Sequence, residues 1–273
     1  MPGPECKSPF LKSLIRDYCA SMKTNSKVAL ITGANRGLGL QTAHELGKLG
    51  ITLLLGVRDV SKSQEALKEL KGLGYTVEAI PLDVSDIYGQ NHVYGQISEK
   101  YGKLDILVNN AGIWKETLTS SSNAPGSNNT STVRLELLRE IFETNFFGTV
   151  HLTQLLLPLI RKSPAGRIVN VSSILGSLTL HSDPASPIYQ HKLFAYDTSK
   201  TALNSFTVHL AHELRDTLIK VNSAHPGWVQ TEMGGEGADL DISEGGKTSA
   251  RLATLPDDGP TGGYFHLGQK LPW

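Results

Sequence analysis

The sequence predicts an α/β fold built on a single doubly wound parallel sheet with helices on both faces. Three observations predict it. Short apolar runs alternate with helical patterns from Lys27 onward, as in repeated βαβ units. A glycine-rich turn, Gly33 to Gly39, joins the first apolar run to the first helical pattern. The 273 residues, 39% of them hydrophobic, suffice for one domain with a full core, although two small domains are possible on length alone.

The predicted strands are short and apolar, as expected of strands buried on both faces. They cover residues 28–31, 51–57, 76–81, 106–108, 167–171 and 219–224. Helical patterns fill the intervals at residues 40–49, 62–71, 86–101, 134–157 and 196–214. Because parallel strands are joined by right-handed crossovers, a doubly wound sheet is the leading topology.

Two segments fall outside this alternation. Residues 1–26 are predicted to be an N-terminal extension, loosely ordered or a short amphipathic helix, because apolar residues recur there at helical spacing: Phe10, Leu11, Leu14, Ile15 and Tyr18. Residues 119–132 are rich in Ser, Asn and Thr, so they are predicted to form an exposed loop. The remaining pattern places one folded domain at residues 27–273.

Charge and cysteine content exclude several classes of function. Lys plus Arg number 26, as do Asp plus Glu, so no surface for nucleic acid or an anionic membrane is expected. No apolar run reaches the roughly 18 residues needed to span a bilayer, and no secretory signal is recognised. Cys6 and Cys19 have no His or Cys cluster nearby, so no metal site is expected. A reducing, cytoplasmic location is the simplest interpretation.

The glycine-rich turn is predicted to bind the pyrophosphate of a dinucleotide. Glycine lets the backbone turn tightly and approach a phosphate without obstruction by a Cβ atom. The helix that follows presents free N–H groups and the positive end of its dipole. The residues expected to contact the cofactor here are Gly33, Asn35, Arg36, Gly37, Leu38 and Gly39. An ordinary strand-to-helix turn is the alternative.

The end of the second predicted strand favours NADP(H) over NAD(H). NAD sites usually carry an acidic residue there, whereas NADP sites place arginine beside the 2′-phosphate. The sequence reads Gly56-Val57-Arg58, and Arg36 can approach the same phosphate from the glycine-rich turn. The alternative is a solvated Arg58 that Asp59 neutralises.

Tyr196 and Lys200, spaced Tyr-x-x-x-Lys, supply candidate acid–base chemistry for carbonyl reduction. Lys200 shares the helix face of Tyr196, so its positive charge is expected to lower the pKa of the tyrosine. Tyr196 would then donate a proton to the substrate oxygen, which Ser173 would hydrogen-bond. Alone, such a pair on a surface helix is usually inert.

Together these motifs resemble the short-chain dehydrogenase/reductase family. Besides the motifs above, the sequence has Asn109-Asn110-Ala111-Gly112, Asn145 and Pro226-Gly227 in the family's order. The resemblance extends from Lys27 to about Phe265, and Val57-Arg58-Asp59 is similar to the carbonyl-reductase-like, NADPH-using members. It implies a Rossmann-type fold, with residues 27–273 as a dinucleotide-binding catalytic domain.

The resemblance also implies roles for individual residues. Asn145 would hold a water for a proton relay. Lys200 and Tyr196 would also contact the cofactor, at the nicotinamide ribose. Further cofactor contacts are implied for Asp83 and Val84 beside the adenine, for Asn110 at the ribose–nicotinamide side, and for Val229 and Thr231 at the carboxamide. Asp83 can equally cap the residues that follow it.

Neighbouring residues compete for the catalytic assignments. Ser172 adjoins Ser173, but the family pattern Val-x-x-Ser-Ser favours the second serine. Tyr189 is rejected as the catalytic tyrosine, because the lysine after it lies three positions on and not four. His181 and His191 can assist substrate binding, although histidines in loops are more often merely exposed.

Two segments are predicted to form the substrate pocket. Tyr196 lies 23 positions after Ser173, a longer interval than in many family members, so residues 174–195 form an insert beside the catalytic residues. A second wall is expected at residues 233–247, where a glycine-rich run suits a mobile lid. The candidate substrate contacts are Trp114, Ser173, Tyr189, Phe194, Trp228 and Met233. The insert can also obstruct tetramer packing, so either a monomer or a homo-oligomer is possible.

The sequence therefore predicts an NADP(H)-dependent oxidoreductase that reduces a mostly apolar aldehyde or ketone. A small-molecule carbonyl or alcohol substrate is the expected partner. Two alternatives stay open. One is an alcohol dehydrogenase that oxidises a hydroxylated lipid, steroid or secondary metabolite. The other is a non-catalytic NADP-sensing protein of the same fold, a class that usually lacks the Tyr, Lys or Ser retained here.

Overall fold

The described part of the chain, residues 26–116, 130–235 and 237–273 of a computed structural model, contains one eight-stranded sheet. Its strands are β1 (Val28–Thr32), β2 (Thr52–Val57), β3 (Val77–Pro81), β4 (Ile106–Asn109), β5 (Arg167–Val171), β6 (Lys220–Ala224), β7 (Tyr264–His266) and β8 (Gln269–Lys270). Their spatial order is β3-β2-β1-β4-β5-β6-β7-β8. Strands β1 to β7 run parallel, and β8 pairs antiparallel with β7.

Helices connect the strands. They are α1 (Gly37–Gly47), α2 (Gln64–Gly72), α3 (Asn91–Tyr101), α4 (Leu135–Phe142), α5 (Gly148–Ile160), α6 (Leu178–Ser182), α7 (Phe194–Glu213), α8 (Ile242–Gly245) and α9 (Lys247–Ala253). Short 3₁₀ turns cover Val60–Ser63 and Ile174–Gly176, and a π-helical turn covers Glu143–Phe147.

Each face of the sheet carries its own hydrophobic core, because successive side chains of a strand point to opposite faces. On one face, Ile31 of β1 packs in a cluster with Leu46 of α1 and with residues of α2 and α9. On the other face, Leu30 packs in a cluster with Leu156 of α5 and with residues of α3 and α7. The predicted doubly wound sheet with helices on both faces is confirmed.

The strand order places the functional loops at one edge. The chain moves outward from β1 through β2 to β3, then crosses back so that β4 lies on the other side of β1. Doubly wound sheets open a crevice at this point, beyond the carboxyl ends of the strands. Gly33 follows β1 and Asn110 follows β4, so the two predicted cofactor segments meet at this crevice.

Some predicted helix boundaries were wrong. The single helix expected at residues 134–157 is divided into α4 and α5 by the π-helical turn, which holds Asn145. Such turns change the helical register locally and often occur at functional sites. The helix expected at residues 86–101 begins only at Asn91, because the Asp86 carboxylate accepts the Gly89 N–H and forms a turn ahead of it.

The shortest elements were not predicted. These are β7 and β8 at the sheet edge, α6 within the insert, and α8 and α9 after the glycine-rich run. Elements of two to seven residues are too short for periodicity to identify. The segment expected to act as a lid is also partly ordered, since Leu240 forms a β-bridge with Val229 and α8 follows at once.

Two predictions concern residues outside those described. The N-terminal extension, with Cys6 and Cys19, lies almost wholly within residues 1–25, and most of the loop expected at residues 119–132 lies within residues 117–129. Among the described ranges, no helix is both long and apolar enough to cross a membrane.

Candidate active site

The turn after β1 has the geometry of a phosphate-binding loop. Gly33 and Gly37 adopt φ values of +65° and +59°, a region that favours glycine. A Cβ atom at Gly37 would meet nothing within 4 Å, so the backbone there faces open space. No side chain caps the start of α1, which leaves the N–H groups of its first turn for another acceptor. These features fit the pyrophosphate of a dinucleotide.

Asn110 holds this turn in place. Its side-chain amide donates to the Thr32 carbonyl oxygen at 2.8 Å and to the Gly33 carbonyl oxygen at 3.3 Å. A Cβ atom at Gly39 would lie 2.6 Å from the same amide nitrogen. The side chain expected to line the ribose–nicotinamide side is therefore engaged with the glycine-rich turn, and Gly39 is required for that close packing.

The two arginines expected at the 2′-phosphate differ in their environment. Arg58 is exposed and, within the described ranges, forms no ion pair. Asp59 does not neutralise it, because the Asp59 carboxylate accepts from the backbone N–H and hydroxyl of Ser61. Arg36 forms an exposed ion pair with Glu232, in the segment after β6. Arg58 is thus available to an anion, whereas Arg36 would have to exchange its partner.

Asp83 caps the turn that follows β3. Its carboxylate accepts from the Ser85 backbone N–H at 2.9 Å and from the Ser85 hydroxyl at 2.7 Å. The adjacent Val84 is buried, and its carbonyl oxygen accepts from the Gln90 side chain. The local structural role considered for Asp83 is present, and its second carboxylate oxygen forms no hydrogen bond within the described ranges.

Tyr196 and Lys200 lie on one face of α7, and both are buried. The Lys200 Nζ is 5.7 Å from the centre of the Tyr196 ring and donates to the Val171 carbonyl oxygen at 2.9 Å. Val171 ends β5, and Ser173 follows it by two residues. The predicted serine, tyrosine and lysine are therefore brought together where β5 meets α7.

The expectation that Tyr196 has a lowered pKa beside Lys200 was wrong. Burial raises the pKa of Tyr196 to about 12, although hydrogen bonding with Ser173 works in the opposite direction. Burial also lowers the pKa of Lys200 to about 8. Desolvation is the largest cause for both groups, and the phenol is protonated at neutral pH.

Asn145 links the π-helical turn to the loop after β4. Its side chain accepts the Ile113 N–H at 2.8 Å and donates to the Ile113 carbonyl oxygen at 3.0 Å. It also donates to the Ser199 hydroxyl, one residue before Lys200. A Cβ atom at Gly112 would lie 3.3 Å from the Asn145 Oδ1 and 3.4 Å from the Lys200 Nζ. Asn145 and Lys200 thus share one compact space beside Gly112.

The residues that compete for the catalytic assignments have different environments in the structure. The Ser172 hydroxyl is buried and has no hydrogen-bond partner among the described residues, whereas Ser173 is partly exposed and interacts with Tyr196. Tyr189 lies on the insert, with the Lys192 Nζ 4.9 Å from the centre of its ring. His181 is mostly buried and donates from Nε2 to the Leu175 carbonyl oxygen, which makes its role structural.

The candidate substrate contacts do not all converge. The Trp114 ring lies 5.9 Å from the Tyr196 ring, centre to centre, and Phe194 is two residues ahead of Tyr196 on α7. Trp228 is 53% exposed and Met233 is 43% exposed, on the segment after β6. The Trp228 indole donates to the Gly234 carbonyl oxygen, which folds this segment on itself. Val229 is buried there, and Thr231 accepts the Gly234 N–H.

Comparison with known proteins decides the family. The family model described as short chain dehydrogenase matches residues 27–239. The chain belongs to the short-chain dehydrogenase/reductase family. Among similar proteins, salutaridine reductase from Papaver bracteatum is 30% identical over 93% of this chain and 98% of its own length. NADPH carbonyl reductase 1 from Macaca fascicularis is 32% identical over 92% of this chain and all of its own.

A solved structure agrees with this assignment. The NADPH-bound carbonyl reductase from chicken fatty liver superposes with a TM-score of 0.77 at 26% identity, covering 91% of this chain and 99% of that one. NADPH thus appears in the name of one similar carbonyl reductase and as the bound ligand in the structure of another. The open backbone at Gly37, the uncapped α1 and the unpaired Arg58 are compatible with that cofactor.

Sequence reasoning missed two buried carboxylates at the start of the catalytic helix. Glu116 is 6% exposed and accepts the backbone N–H groups of Ala195 and Tyr196. Asp197 is 7% exposed and accepts the Leu193 N–H at 2.9 Å. One signal was present for Asp197, since an acidic residue follows an apolar run at the start of a helix. Glu116 had none, because its partners are distant in sequence.

Proposed function

We propose that this short-chain dehydrogenase/reductase reduces an aldehyde or ketone to an alcohol with NADPH as the hydride donor. The observation that carries the proposal is the buried Tyr196 phenol, with Ser173 interacting with it and the Lys200 Nζ 5.7 Å from its ring. The reductase names of several relatives support the same chemistry. Bound NADPH would supply the hydride, and the protein's own side chains would position the carbonyl and supply the proton.

Tyr196 is suited to give a proton to the substrate oxygen. Its raised pKa, about 12, keeps the phenol neutral at physiological pH. A substrate alkoxide that develops during reduction is a stronger base than the tyrosinate and would remove the phenolic proton. Ser173 would hydrogen-bond the same oxygen and stabilise its developing charge.

Lys200 would stabilise the tyrosinate left behind. The Lys200 pKa of about 8 leaves much of the population charged at neutral pH. Because water is excluded from this buried space, a charge at that distance acts more strongly than it would in solvent. Asn145 fixes the Ile113 backbone and Ser199, and so supports the relative positions of the β4 loop and the catalytic helix.

The reductase names of the relatives support reduction as the working direction. The alternative is the oxidation of a hydroxylated lipid, steroid or secondary metabolite, in which the same tyrosine would take the proton back from the alcohol. Rates measured in both directions would separate the two.

Arg58 supports NADPH over NADH. Its guanidinium lies just beyond β2, where an adenosine 2′-phosphate is expected, and it has no competing carboxylate among the described residues. Arg36 can join it by leaving Glu232, since that ion pair is exposed on both sides and is worth little. We expect tighter binding of NADPH than of NADH.

The side chains expected to contact the substrate are more apolar than charged. Trp114 covers one side of Tyr196, while exposed Trp228 and Met233 offer apolar surface on the segment after β6. A small, mostly apolar carbonyl compound matches these side chains better than a phosphorylated one. The domain as a whole, residues 27–273, would then unite cofactor and substrate sites.

The test is the oxidation of NADPH by wild type and Tyr196→Phe across a panel of aldehydes and ketones, with NADH as the second cofactor. The variant should lose about 100-fold to 10,000-fold in kcat because it removes only the proton donor. Binding of NADPH, followed by fluorescence, should be nearly unchanged. Equal kcat values for the variant and wild type would refute the mechanism, and equal use of NADH would refute the cofactor assignment.

A further inference from the structure

The second and third N–H groups of the catalytic helix have no acceptor at the helix's own N-cap position. The residue at the N-cap position of α7 is Leu193, whose side chain cannot accept a hydrogen bond. The N–H groups of Ala195 and Tyr196 belong to buried residues, so water cannot readily satisfy them. An acceptor from elsewhere in the chain is therefore needed.

Glu116 supplies that acceptor from the loop after β4. Its two carboxylate oxygens accept the N–H groups of Ala195 at 2.9 Å and Tyr196 at 2.7 Å, across 79 and 80 positions of sequence. A cap within a helix stabilises only that helix. A cap from a distant loop also fixes where the first turn lies relative to that loop, and here the first turn contains Tyr196.

The same short loop touches the site at three points. The Ile113 backbone holds Asn145 through two hydrogen bonds. The Trp114 ring packs against the Tyr196 ring. Glu116 then holds the Tyr196 backbone. Residues 113–116 thus contact the catalytic tyrosine by ring and backbone and hold Asn145 as well.

We propose that Glu116 is a positioning residue for Tyr196, whose ionised carboxylate fixes the phenol at the distance from the substrate oxygen that proton transfer requires. This inference rests on the proposed reductase function. Ionisation matters because a carboxylate presents acceptors to both N–H groups, whereas a carboxamide presents one acceptor and one donor. Burial raises the pKa of Glu116, while the two N–H groups lower it.

The test compares Glu116→Gln with Glu116→Asp and with a matched control, Glu140→Gln. The control removes an exposed carboxylate that pairs with Lys115 of the same loop, and among the described residues its side chain forms no hydrogen bond or ion pair with α7. Glu116→Gln should lower kcat by about 10-fold to 100-fold, since small misplacements of a reacting group have effects of that size. KM and the NADPH dissociation constant should change by less than about 2-fold, because the cofactor turn is untouched. Glu116→Asp keeps the charge and should retain more activity than Glu116→Gln.

A second measurement does not depend on activity. Hydrogen exchange of the peptide that covers residues 193–200 should be faster in Glu116→Gln than in wild type, and unchanged in Glu140→Gln. Unchanged exchange in Glu116→Gln, or an unchanged kcat, would overturn the proposal. A lower kcat accompanied by weaker NADPH binding and a lower melting temperature would also overturn the proposal, since these changes together indicate general destabilisation. If wild type reduced no carbonyl while exchange responded as expected, the proposed function would fail and the anchoring of Tyr196 would stand.

Discussion

At the scale of single residues, burial controls the protonation of the catalytic region more than neighbouring charges do. Tyr196, Lys200 and Asp197 all have pKa values moved toward the neutral form, and desolvation is the first cause for each. The residue types of the site were identifiable from the sequence. Their protonation was not, because desolvation depends on how much protein surrounds each group.

Asp197 gives a stability prediction. Burial raises its pKa to about 7, the nearby Glu116 adds to the rise, and the Leu193 N–H and Lys192 oppose it. In the unfolded chain the group titrates near its ordinary value of 3.8. The folded state therefore binds the proton more tightly, and the stability this contributes is present below about pH 4 and lost as pH rises through about 7.

Asp197→Asn should accordingly melt about 2–4 °C above wild type at about pH 8, and the difference should shrink toward about pH 5. The asparagine imitates the protonated acid and can still accept the Leu193 N–H. Asp183→Asn, an exposed aspartate of the insert, is the control and should show no such trend. Thermal melts over a pH series would decide, and a variant less stable than wild type throughout would contradict the argument.

At the scale of elements, close backbone contacts decide where helices dock. α5 begins at Gly148, and a Cβ atom there would lie 1.8 Å from the Val84 carbonyl oxygen. The sequence marks Gly148 only as a helix residue of low propensity. Its role follows from the loop after β3, which passes directly over the start of α5.

Gly148→Ala should therefore be destabilising by about 3 kcal/mol, because backbone must move to relieve the overlap. Gly95→Ala is the matched control. Gly95 is exposed within α3 and a Cβ atom there would meet nothing within 4 Å, so alanine should stabilise by about 0.5–1 kcal/mol. Urea denaturation of both variants measures the two effects. A similar loss of stability in both variants would mean that replacing any helix glycine is destabilising, whatever its contacts.

At the scale of the whole molecule, a buried arginine joins the sheet to the segment before β7. Arg167 is the first residue of β5, and only 3% of its side chain is exposed. Its guanidinium donates to the carbonyl oxygens of Leu255, Gly166 and Leu218. It also pairs with Asp257, which is 61% exposed. The three carbonyl groups belong to segments far apart in sequence, so one side chain fixes their arrangement.

Arg167→Met should lower the free energy of unfolding by about 2–3 kcal/mol, because it removes every hydrogen bond of a buried guanidinium, including the donors of the Leu255 and Leu218 carbonyl oxygens. Asp257→Asn should cost at most about 1 kcal/mol, since its partner keeps its carbonyl acceptors and the carboxylate is mostly solvated. Chemical denaturation compares the two. Equal losses would mean that the ion pair, and not the carbonyl network, provides the stability.

The sequence by itself determined the doubly wound class of the sheet, the glycine-rich turn and the candidate catalytic side chains. Those features depend on local information: apolar periodicity, glycine where φ is positive, and Tyr-x-x-x-Lys spacing on one helix. The tertiary structure decided what distant segments do to one another. It placed Glu116 on the first turn of α7, turned Asn110 toward the glycine-rich turn, joined Arg36 to Glu232, and buried Tyr196 deeply enough to keep its proton. Hydrogen bonds and desolvation between remote residues leave no periodic trace in a sequence, because they depend on the folded chain.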